Sequence, residues 1–60
     1  MPVITVEWWD THKAEEKKQI VEGITSVFSK IGIPQKHTHI IIKDNPKNNW
    51  ATGGKFASET

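Results

Sequence analysis

The sequence predicts a small α/β (α+β) fold, a β-α-β protomer with parallel strands and a C-terminal hairpin. Three observations predict it. Val3 to Trp9 is dense in β-branched and aromatic residues, apolar residues then recur at spacings of three and four up to Ile31, and an isoleucine-rich stretch follows from His37 to Lys43. Strand, helix and strand in that order form a crossover unit, which is right-handed and leaves its two strands parallel.

In the first strand Ile4, Val6 and Trp8 share one face, and Trp8 and Trp9 point to opposite faces. Asp10 and Thr11 can cap the helix that follows, and Glu15 and Glu16 stand in its first turn, where the helix dipole favours negative charge. The helix is expected to start near Lys13. Ile20, Ile24, Val27, Phe28 and Ile31 form its apolar face, while Lys13, Lys17, Lys18, Glu22 and Ser29 face water. Gly23 costs roughly 1 kcal/mol relative to alanine inside a helix, which suggests close packing at that point. Gly32 and then Pro34 stop the helix.

The second strand, His37 to Lys43, carries three consecutive isoleucines, so neither face is wholly polar and both are expected to be covered. On a strand with those bounds His37, His39 and Ile41 share a face. After a polar loop around Asn45–Asn49 come Trp50 and a Gly53-Gly54 turn with short flanks, read as a small hairpin or an arm reaching onto a neighbour.

Sixty residues allow one domain, 1–60, and a chain this short buries only roughly 60% of the surface it exposes when unfolded. Two strands under one helix leave Ile41, the tryptophans and the tail aromatics in need of cover. With no cysteine for a disulfide or a thiolate zinc site, assembly from several copies is the expected remedy. The lack of cysteine also fits the cytoplasm. Eight lysines, scattered along the chain, stand against seven acids for a net charge of +1, which is no nucleic-acid footprint. The apolar runs are far shorter than the roughly 20 residues that cross a bilayer, so no membrane partner is expected. Met1 precedes the small residue Pro2, the context in which an initiator methionine is removed, and that trimming leaves an N-terminal proline.

Pro2 ahead of a strand, the helix ended near Ile33-Pro34, the isoleucine-rich strand and the closing Asn49-Trp50-Ala51-Thr52-Gly53-Gly54-Lys55 together resemble the 4-oxalocrotonate tautomerase family. The resemblance implies β-α-β protomers that dimerise into a four-stranded sheet, homodimers or homohexamers, active sites between subunits, and no cofactor. It implies that Pro2 is the catalytic base. The family's arginine ten residues after the proline aligns with His12, and its arginine five residues after the connector proline aligns with His39. Imidazoles therefore stand where guanidinium groups are expected. The aromatic wall aligns with Trp50, and Trp9 is a second candidate for lining the substrate pocket.

The implied activity is keto-enol proton transfer on a small unsaturated 2-hydroxy or 2-oxo acid. An N-terminal amine suits it, because model α-amino groups titrate at about 7.7–8.0, close enough to working pH both to accept and to return a proton. Imidazole cannot grip a carboxylate with the two prongs of guanidinium, so monoacid or aryl enols such as phenylenolpyruvate are expected to be better substrates than dicarboxylates. Two other readings remain open: a Pro2-dependent hydratase or dehalogenase of unsaturated acids, and a non-catalytic oligomeric binding module that holds a metal through His37 and His39.

Overall fold

The computed structural model describes residues 1–59. Strand β1 runs Val3–Trp9 and helix α1 Ala14–Lys30; strand β2 runs His39–Asn45, and a two-residue pair, β3 Ala51–Thr52 and β4 Lys55–Phe56, closes the chain. β1 and β2 pair in parallel from Val3 opposite His39 to Trp9 opposite Asn45, while β3 and β4 pair antiparallel. The β-α-β unit with its hairpin is the expected architecture.

Register divides the β1–β2 sheet into two faces. Ile4, Val6 and Trp8 with Ile40 and Ile42 are half-buried on the side that carries α1, whereas Val3, Thr5, Glu7, His39, Ile41 and Lys43 are exposed on the other. Strands lie about 4.8 Å apart, so two of them shelter only a narrow stripe of helix. Ile20, Ile24 and Phe28 occupy that stripe and are half-buried. Val27 and Ile31, also expected on the packed face, overhang it and are exposed. Gly23 likewise has open space where a Cβ would sit, so the close packing expected there is absent within the protomer.

The ends of α1 follow local chemistry. Lys13 is the N-cap rather than Asp10 or Thr11, and its backbone N–H donates to the Glu16 carboxylate at 2.8 Å. That hydrogen bond is the main reason the Glu16 carboxyl is held below its ordinary pKa. At the other end Gly32, at φ 93°, donates to Ser29, and Ile33 donates to Phe28, the paired bonds of a glycine-terminated helix.

The second strand begins two residues later than expected. Pro34 leads into a 3₁₀ turn over Gln35–His37, closed by the His37 N–H donating to the Pro34 carbonyl at 2.9 Å. His37 therefore sits in a turn and does not share a strand face with His39. Further along, Gly53 and Gly54 have φ of 61° and 82°, the backbone that a two-residue hairpin turn demands and that glycine adopts freely.

None of the described residues is fully buried. The radius of gyration is 14.4 Å, against about 10 Å for a compact chain of this length. On the open sheet face Val3 is 52% and Ile41 46% exposed, so the cover the sequence calls for is not supplied by the chain itself.

Candidate active site

Pro2 immediately precedes β1 and is half-buried, and its carbonyl accepts the His39 N–H at 3.1 Å. The ladder thus brings Pro2 and His39 together at the leading end of the two parallel strands. Met1, ahead of them, is 85% exposed.

At the far end of β1 the alternation sends its two tryptophans apart. Trp8, on the helix side, donates its indole N–H to Asp44 at 2.7 Å, and the Lys17 ammonium donates to the other carboxylate oxygen. The Lys17 ammonium, and after it the Trp8 indole, hold the Asp44 carboxyl below its ordinary pKa. His12 stacks on Trp8 with ring centres 3.9 Å apart and planes 22° from parallel, and its Nδ1 lies 3.6 Å from Glu16. This imidazole is shelved against the helix start.

Trp9 leaves on the open side. Its ring meets Trp50 edge-on at 6.1 Å, and the Lys47 ammonium sits over it, 4.7 Å from the ring centre. Trp9, Trp50, Thr52, Lys55, Phe56 and Ala57 line a cavity of about 250 Å³. That is slightly below the roughly 300–1,000 Å³ of pockets for drug-sized ligands and suits one small ring. The two residues expected to line a pocket, Trp9 and Trp50, do so.

Pro2, His12 and His39 do not line that cavity. Pro2 lies seven residues before Trp9, roughly 23 Å along an extended strand at about 3.3 Å per residue. Within one protomer, then, the proline end and the tryptophan end are separate places. Among the described residues no three His, Asp or Glu side chains gather as metal ligands, and no helix is long and apolar enough to cross a membrane.

Sequence reasoning missed Thr52, Lys55 and Phe56 as pocket residues. For Thr52 and Lys55 the signal was present: they pair across the hairpin, and alternation puts Trp50 on the same face as both, whereas Phe56 pairs with Ala51 and falls on the other side of that alternation.

Against known proteins, the profile of a family described as tautomerase enzyme matches residues 2–59. A "probable tautomerase" of Bacillus cereus is 33% identical over 60 residues, covering 98% of each chain. Among solved structures, a 4-oxalocrotonate tautomerase isozyme of Methylibium petroleiphilum superposes with a TM-score of 0.88 at 28% identity, covering 95% of this chain and 94% of the other. YwhB, a homologue of 4-oxalocrotonate tautomerase, gives a TM-score of 0.92 at 25% identity over 98% of both chains.

Proposed function

This chain belongs to the tautomerase family, and from that premise we propose that it is a cofactor-independent isomerase whose general base and acid is the N-terminal amine of Pro2, freed by loss of Met1. The observation that carries the reading is that the family match begins at Pro2 itself, directly behind an exposed methionine. A free prolyl nitrogen is a rigid secondary amine. Bonded to Met1 it is a tertiary amide with no lone pair to offer, so the chemistry requires the trimmed chain.

In the proposed reaction neutral Pro2 takes the proton of the enol hydroxyl, and the oxygen's electron pair closes to the carbonyl. The displaced C=C electrons then take a proton from the prolyl ammonium at carbon, which restores the base. An apolar wall disfavours the ammonium and keeps the amine ready at neutral pH. His39, at the same end of the ladder, is assigned the charge that develops on the enolate oxygen. His12 takes the position of the cation for a second carboxylate. As an imidazole held by Trp8 and Glu16, it grips that group weakly. Monoacid and aryl enols are therefore the proposed substrates, and the cysteine-free composition favours the cytoplasm as the compartment.

The base and the aromatic wall come from different copies in this reading. Among the described residues strand β1 has a partner along only one edge, and a two-fold axis placed beside its other edge would reverse the second copy. One chain's Pro2 end then meets its partner's Trp9–Trp50 end, and the two sheets join into one of four strands. The exposed apolar side chains Val3, Ile41 and Phe56 support such assembly, as a dimer or as a hexamer of three dimers.

The test compares a preparation freed of Met1 with one that keeps it, each assayed by ultraviolet absorbance on phenylenolpyruvate and on a dicarboxylate dienol. The expected result is turnover in the trimmed protein alone, higher on the aryl enol. Equal rates in the two preparations defeat the role of Pro2, and a dicarboxylate preference defeats the substrate assignment.

A further inference from the structure

The cavity between Trp9 and the hairpin holds a cation that the proposed reaction has not used. The chain contains no arginine, so a substrate carboxylate must be met by a lysine or an imidazole. Three of the lysines are already committed or stand elsewhere. Lys17 is bound to Asp44, Lys43 stands opposite Glu7 on the open sheet face, and Lys47 lies over the Trp9 ring.

Lys55 differs from these. It lines the cavity and, among the described residues, is in neither of the two ion pairs, His12–Glu16 and Lys17–Asp44. The hairpin register explains its position: Lys55 pairs with Thr52, and the next step of the ladder joins Ala57 N–H to the Trp50 carbonyl at 2.7 Å, so Trp50, Thr52, Lys55 and Ala57 face the same way. An aromatic wall, a hydroxyl and an unspent ammonium thus share one face across a space sized for a single ring.

We infer that Lys55 is the carboxylate anchor of this enzyme, with the Thr52 hydroxyl as a second donor, and that together with Trp9 and Trp50 it selects aryl 2-oxo monoacids and their enols. The inference rests on the tautomerase reading for its reaction but not for its binding site. One ammonium satisfies one carboxylate, and the tryptophan rings that line the same cavity offer stacking and edge contacts rather than a second cation. Selectivity for monoacids then has a positive cause in this hairpin, beyond the replacement of guanidinium by imidazole at His12 and His39.

Turnover and binding are measured on the same assembled, Met1-free protein. Lys55→Met is expected to raise KM for phenylenolpyruvate about tenfold with little change in kcat, while the methyl ester of that enol is turned over as before. Lys55→Arg should restore the low KM. In parallel, quenching of tryptophan fluorescence by cinnamate should weaken by a similar factor in Lys55→Met, and quenching by methyl cinnamate should not. Should acid and ester respond alike in both assays, or neither respond, the anchor is wrong. An inactive wild type that binds cinnamate through Lys55 would overturn the tautomerase reading and leave the anchor standing. A Pro2-dependent enzyme indifferent to Lys55→Met would do the reverse.

Discussion

The two ends of strand β1 are built for different things. At its leading end Pro2 and His39 stand together with little around them to exclude water. At its trailing end Trp9, Trp50 and the hairpin line a half-open cavity that contains no group suited to shuttling a proton at neutral pH. Under the proposed reaction one end offers a base without walls and the other walls without a base. In that proposal each chain therefore uses the opposite end of another copy, so that the short protomer is two half-sites joined by a strand.

Mixing two disabled chains is the severest trial of that comparison. Pro2→Ala should lower kcat/KM by roughly 10²–10⁴-fold, the usual contribution of a positioned acid–base group, and Trp50→Ala should impair the wall of the opposite half-site. Unfolded and refolded together, the two should regain activity, with about a quarter of the sites intact for random pairing in a two-fold dimer. No recovery would mean that both halves come from one chain.

Next in size is the open sheet face. Ile41→Lys puts a charge where burial of an isoleucine would contribute about 1.5–3 kcal/mol per copy. The expected outcome is loss of assembly in sedimentation, together with loss of helical circular dichroism. A folded, active monomer would show that Ile41 needs no cover.

A smaller effect separates the two roles available to His12. Removing its ring from the Trp8 face in His12→Ala should cost about 1 kcal/mol per chain, read as a lower thermal midpoint. His12→Phe should recover the midpoint by restoring the stack but not the weak dicarboxylate turnover. Recovery of both would reduce His12 to a packing residue.

The smallest effect concerns acid. Because Lys17 and Trp8 depress the folded-state pKa of Asp44, that carboxylate favours folding above its unfolded pKa, and the contribution is lost as pH falls through the folded value. Stability of the wild type should drop below roughly pH 4, and Asp44→Asn should flatten that part of the curve. Identical acid profiles for the two proteins would remove Asp44 from the account.

Much of this architecture was legible residue by residue. Alternation at Ile4, Val6 and Trp8 placed β1 and its inner face, Gly32 and Pro34 marked the end of α1, and Gly53-Gly54 announced the hairpin. Local signals failed where structure is short or arises from distant partners. The 3₁₀ turn at Gln35–His37 spans too few residues for any periodicity, so His37-Thr38-His39 looked like a strand. The Trp8–Asp44–Lys17 cluster joins residues 27 to 36 positions apart, which no window of sequence brings together. Of the candidate site, Pro2 and the two tryptophans could be named from the sequence, whereas the meeting of Trp9 with Trp50, far apart in the chain, could not.

That none of the described residues of the protomer is fully buried has a consequence beyond its shape. Under the proposed assembly, folding, association and turnover become one linked equilibrium, governed by mass action. Dilution then acts as an inhibitor: total activity should decline faster than concentration once copies begin to part. A cell that makes too little of this chain would hold unfolded polypeptide rather than a dilute enzyme.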